Sequence, residues 1–124
     1  MPLIPRSEIP IPPSANRLWR IFGSRMHKHK DYVQWLEHVC WLLKRDLPHV
    51  RGARVGVRID VYGGKGFTKR RDMDNCLKPV LDALRESGVI EDDNVQYVKW
   101  VCAEYHDPES KKAEATCFVG VEIL

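Results

Sequence analysis

Between about Lys30 and Arg45 the apolar residues Tyr32, Trp35, Leu36, Val39, Leu42 and Leu43 recur at intervals of three and four. That spacing predicts an amphipathic helix stopping before Pro48. Ala53, Val55, Val57, Ile59 and Val61 then alternate with Arg54, Arg58, Asp60 and Tyr62, the pattern of a half-buried strand with a basic outer face. Gly63-Gly64-Lys65-Gly66 breaks that strand. A second helix is expected to bury Leu77, Val80, Leu81 and Leu84, with Gly88 capping its end and Pro79 within about its first turn, where a missing N–H costs little. After Glu91-Asp92-Asp93-Asn94, a strand from Val95 to about Tyr105 turns through His106–Ser110. It is expected to pair with a last strand in which Ala115, Cys117, Val119, Val121 and Ile123 alternate with mostly polar residues. Ile9-Pro10-Ile11-Pro12-Pro13-Ser14 cannot be helical, because each proline fixes φ and pushes its predecessor into the extended region. A short edge strand ending in a loop is expected there. The order β-α-β-α-β-β implies an α+β fold, a single domain over 1–124 built on a small mixed sheet of about four strands with two main helices.

Composition narrows the class. The 124 residues are 44% hydrophobic, enough for a core, and no apolar run approaches the roughly 20 residues of a membrane span. The N-terminus lacks the apolar stretch of a secretory signal, so a reducing, cytoplasmic setting is expected. Cys40, Cys76, Cys102 and Cys117 are scattered beside apolar neighbours without a C-x-x-C pair, which favours small core residues over a disulfide framework or a zinc site. The formal charge of +3 conceals a split: residues 1–78 carry 16 basic and 7 acidic side chains, residues 79–124 carry 4 and 10. A one-signed surface steers an oppositely charged partner even when the whole molecule is near neutral.

The chemistry concentrates between Lys65 and Lys78. There Lys65, Lys69, Arg70, Arg71 and Lys78 bracket Asp72 and Asp74, with Asn75 immediately after. Two carboxylates at i and i+2 of an extended segment point to one side and repel unless a cation lies between them. Mg²⁺ fits, since it takes oxygen ligands from one or two carboxylates, water and phosphate. Asp74 as a helix N-cap and Asp72 as an ion-pair partner of Arg70 or Arg71 account for the same spacing. Lys78 stands one turn after Asp74 and is also placed for an i,i+4 ion pair with Asp82. A second acidic group, Glu91-Asp92-Asp93, offers a third carboxylate. From Asp74 to Gly88 a helix rises roughly 20 Å, so unless the chain folds sharply back, Asp93 meets Asp72 and Asp74 most simply across a two-fold dimer.

Pro12-Pro13-Ser14-Ala15-Asn16-Arg17-Leu18-Trp19-Arg20, then Arg71-Asp72-Met73-Asp74-Asn75 with Lys78, Asp82-Ala83-Leu84 and Gly88, and finally Asp92-Asp93 with Val95, resemble the RusA family of Holliday-junction resolvases. The resemblance implies a homodimeric, Mg²⁺-dependent endonuclease, with Mn²⁺ as a substitute, that resolves four-way DNA junctions by paired nicks, and the dimer agrees with the composite active sites expected from the helix length. It implies that Asp72, Asp74 and Asp93 are the metal-binding catalytic carboxylates and that Lys78 is the essential basic residue near them. Asp92 and Asn75 become accessory residues, and Lys69, Arg70, Arg71, Asn16, Arg17 and Arg20 the DNA contacts. Such a protein works on DNA in the cytoplasm, nucleoid-associated or phage-encoded. Two alternatives use the same residues: a junction-binding protein without chemistry, and a general metal-dependent nuclease acting on flaps or branches.

Overall fold

The computed structural model describes residues 4–13, 19–22, 25–28, 30–68 and 70–124. The elements are β1 (Arg6–Ile9), β2 (Trp19–Phe22), β3 (Arg25–Lys28), α1 (Lys30–Asp46), β4 (Val55–Tyr62), α2 (Asp74–Glu86), β5 (Val98–His106) and β6 (Thr116–Ile123). This is the expected α+β architecture with a mixed four-stranded sheet, in the order β1-β6-β4-β5. The antiparallel pair β2–β3 is additional to the elements expected from the sequence. The edge strand at the N-terminus ends at Ile9, before the prolines, since Pro10 has no N–H to offer a ladder.

The pairing differs from the expected β5–β6 hairpin. β4 lies between these strands, parallel to β5 and antiparallel to β6. Parallel neighbours need a crossover of a dozen or more residues, and α2 supplies it. Val55, Val57, Ile59 and Val61 of β4, one of the two interior strands, are all fully buried. They join Ile9, Cys117 and Val119 from the flanking strands in one core with Tyr32, Trp35, Val39 and Leu43 of α1 and Val80, Ala83 and Leu84 of α2. Burying each such side chain contributes about 1.5–3 kcal/mol before conformational entropy is subtracted. Trp35 donates its indole N–H to the Pro10 carbonyl at 2.9 Å, tying α1 to the chain after β1. Cys76 and Cys117 are core residues, whereas Cys102 is exposed on β5.

The other face of the sheet carries no helix among the described residues. On it Trp100 lies flat over Gly56, so close that a Cβ there would stand 2.1 Å from the ring. The outer face of β4 is not basic as its alternation suggested, because the Asp60 side chain is only 5% exposed and offsets Arg58.

Helix α2 begins one turn earlier than its proline implies. Pro79 is the sixth helical residue, not part of the first turn, and it leaves the Asn75 carbonyl without its i+4 donor. Ser87 is the C-cap of the helix, and Gly88 adopts φ +80°, with its N–H on the Arg85 carbonyl and that of Ile90 on the Leu84 carbonyl. Val89 and Ile90 then plug into the core, and the Val50 N–H holds the Val89 carbonyl at 2.8 Å. The chain is thereby turned back along α2.

Candidate active site

That reversal brings Asp93 to Lys78 of the same chain, with Nζ 2.9 Å from Oδ2. The chain does fold sharply back within one subunit, and it does so as far as Lys78, one turn along α2 from Asp74. Five residues after Gly88, at about 3.4 Å each, offset the roughly 15 Å of helix between Lys78 and Gly88, and the lysine side chain spans the rest. Lys78 also lies 3.0 Å from Oδ1 of Asp82, so the i,i+4 pair forms together with the longer-range one. Asp82 Oδ1 is buried without an aligned hydrogen bond, while its Oδ2 accepts from the Tyr32 hydroxyl at 2.9 Å. Arg85 reaches both Asp82 and Asp93 at 3.6 Å. The hydrogen bond from Lys78, working against partial burial, holds the Asp93 carboxyl below its ordinary range, and the same bond raises the Lys78 ammonium.

Asp92 turns away from this group. Its Oδ1 accepts the Asp93 N–H at 2.7 Å and its Oδ2 the Asn94 amide at 3.3 Å, so it braces the loop.

At the start of α2, Met73 is the N-cap, in a helical conformation and without a side-chain cap. Asn75 N–H bonds the Asp72 carbonyl and Cys76 N–H the Met73 carbonyl, so the Asp72–Asp74 spacing falls on a turn and not on an extended segment. Successive residues of a helix rotate by about 100°, and the two carboxylates are not aligned as on a strand. Neither simple alternative for them is realised. Asp74 caps nothing, Asp72 has no ion pair among the described residues, and both are exposed. Arg71 is engaged elsewhere: its guanidinium donates to Asn75 Oδ1, to the Gly66 carbonyl and to the Pro12 carbonyl, and it covers the Phe67 ring at 4.6 Å. Asn75 passes this connection on, its amide 3.4 Å from Asp74 Oδ1. Arg70 is exposed. Asn16, Arg17 and Lys69 lie outside the described residues, as does the side chain of Arg20.

Among the described residues, one set of three acidic or histidine donors lies within 4.8 Å of one another, and it is elsewhere: Asp60, Glu104 and His106 on the outer sheet face. Asp72, Asp74 and Asp93 are not drawn so tightly together. The sheet-face set was missed in the sequence, although Asp60 on one strand and Glu104 and His106 at i and i+2 on the next are spaced to share a face. Its donors could hold a cation, and Arg58 already provides one, with Nη2 3.1 Å from Asp60 and 2.8 Å from Glu104. His106 Nε2 is 2.9 Å from Asp60, and its ring stacks on Tyr62. Burial raises the Asp60 carboxyl, but hydrogen bonds from His106 and Arg58 outweigh it and the net shift is downward. The cluster is thus closed on itself, whereas the start of α2 is open.

No helix among the described residues is long and apolar enough to cross a membrane. Residues 9–123 match the family model described as endodeoxyribonuclease RusA. The chain is similar to the crossover junction endodeoxyribonuclease of Enterobacteria phage HK97, 36% identical over 88 residues that cover 68% of this chain and 70% of the relative. It is similar also to the RusA proteins of Escherichia coli K12, 31% identical over 85 residues (68% and 70%), and Aquifex aeolicus VF5, 29% over 91 residues (72% and 69%). With the family model spanning almost its whole length, this chain belongs to the RusA family of endodeoxyribonucleases.

Proposed function

We propose that the chain is a crossover junction endodeoxyribonuclease that cuts four-way DNA junctions by paired nicks, acting as a homodimer within the cytoplasm. The observation that carries this beyond family membership is the pair Asp72 and Asp74. Two exposed carboxylates without a cation partner among the described residues stand beside exposed lysine and arginine, where a DNA phosphate would be repelled unless a cation intervened. They supply hard oxygen donors, which suit Mg²⁺ or Mn²⁺. Asp72, Asp74 and Asp93 would hold the ion, which when bound polarises the scissile phosphate and lowers the pKa of a water that attacks it.

The chain's own residues do the rest. Lys78 fixes Asp93 against α2 and offers an ammonium to the charge developing on the phosphate. Asn75 joins the arginine-braced loop to Asp74, and Asp92 holds the loop that presents Asp93. Lys69, Arg70, Asn16, Arg17 and Arg20 contact phosphates, with Arg71 contributing mainly by shaping the loop. Because Lys78 and Asp93 meet within one chain, we assign each site chiefly to a single subunit. The test is incubation of an end-labelled four-way junction with and without Mg²⁺, beside linear duplex and flap controls. Paired, Mg²⁺-dependent nicks confined to the junction are expected. Binding without cleavage under both conditions would leave an architectural protein, and equal cutting of flaps a general nuclease.

A further inference from the structure

The acidic third of the sequence contains an isolated basic pair, Lys111-Lys112, that takes no part in the site described above. Its place in the fold changes its meaning. The connection between β5 and β6 is stitched to the glycine loop after β4: the Lys65 N–H donates to the Ala113 carbonyl at 2.9 Å, and the Ala115 N–H to the Lys65 carbonyl at 2.9 Å. A side chain at Gly64 would press on this seam, since a Cβ there would lie 2.4 Å from the Ala113 carbonyl oxygen. Between the two loops runs a groove of about 310 Å³ lined by Lys65, Thr68, Tyr105, Asp107, Ser110 and Lys111. Both lysines are exposed, and among the described residues neither forms an ion pair, although Asp107 lines the same groove. Three hydroxyl groups accompany them. The glycine loop is in turn fixed to the start of α2, because Arg71 holds the Gly66 carbonyl and Asn75 together.

We infer that this groove is a second DNA-backbone site, in which Lys65 and Lys111 each neutralise a phosphate of a junction arm leading away from Asp72 and Asp74. Ammonium groups without counter-ions, hydroxyl donors and an aromatic wall are the equipment of sequence-independent phosphate binding. Asp107 confines the anion to the lysine side of the groove. The inference rests on the nuclease assignment for the identity of its ligand, and its test separates the two.

The full chain is titrated onto a fluorescent four-way junction without divalent metal, at salt concentrations from about 50 to 200 mM, a range over which phosphate contacts lose most of their strength. Lys65→Gln and Lys111→Gln should each flatten the dependence of log K on log[salt] by about 0.9, and the double variant by about 1.8. Lys44→Gln, on an exposed lysine of α1 that forms no ion pair among the described residues, should leave it unchanged. A double variant with the wild-type salt slope, or a Lys44→Gln variant with the same loss, would overturn the groove. A wild-type chain that binds with the expected lysine dependence yet never cuts would instead overturn the nuclease assignment and leave the groove standing.

Discussion

The start of α2 and the outer face of the sheet both collect acidic side chains at i, i+2 spacings or across neighbouring strands, and they do opposite things with them. On the sheet, Asp60 is buried and its charge is offset by Arg58, with His106 and Arg6 also in reach. At α2, Asp72 and Asp74 are exposed and without an ion pair among the described residues, while nearby Arg71 spends its donors on backbone carbonyls and Asn75. A carboxylate whose partner is already built in contributes structure. One left open while cations stand nearby is held for a ligand. Asp93 lies between these extremes, paired with Lys78 but only 19% exposed and on the open side of α2.

Substitutions that treat the two regions alike should therefore give unlike results. The largest effect is expected from Asp74→Asn, which should reduce single-turnover junction cleavage more than about a hundredfold, because a ligand supplying several kcal/mol of charge stabilisation is lost. Junction affinity should be kept or increased, and thermal stability unchanged. Lys78→Met should follow, lowering cleavage by about ten- to a hundredfold. It frees both Asp82 and Asp93, so Lys78→Arg separates the roles: recovery of Tm without recovery of rate marks a contribution to the reaction beyond positioning.

On the sheet the order reverses. Asp60→Asn should destabilise by about 1–2 kcal/mol, discounted because Arg58 and Glu104 are partly solvated, and should leave the cleavage rate below Tm at the wild-type value. Rates falling with Asp60→Asn as steeply as with Asp74→Asn would erase the distinction between the two regions. The smallest effect is that of pH on stability. Asp93 and Asp60 both have depressed carboxyl pKa values in the folded chain, so each stabilises the fold above the unfolded carboxylate value of about 3.9 and ceases to as pH falls through its own lower value. Denaturation followed from neutral pH downward should show the loss, and Asp93→Asn should flatten part of that acid limb.

Much of this was legible in the residues. The periodicity from Tyr32 to Leu43 gave α1 almost to the residue, since an apolar stripe admits one helical phase. Asp72, Asp74, Lys78 and Asp93 stood out by type and spacing. Strand order was hidden: Val95–Tyr105 and the final strand look like a hairpin, and their separation by β4 depends on which strand can be buried most deeply. The return of Asp93 to Lys78 was hidden as well, because it is made by Gly88 at positive φ and by Val89 and Ile90 entering the core, events with no local signature in the acidic loop itself. The closed cluster of Asp60, Glu104 and His106 escaped notice because a parallel register set it up across 44 residues of sequence.

Pro79 carries one more implication. Without its N–H, the Asn75 carbonyl is cut off from the helical ladder beyond, and the turn that carries Asp72 and Asp74 is closed by its own short-range bonds. One backbone bond fewer therefore ties this first turn to the residues beyond Pro79, whereas Val80, Ala83 and Leu84 anchor the rest of the helix in the core.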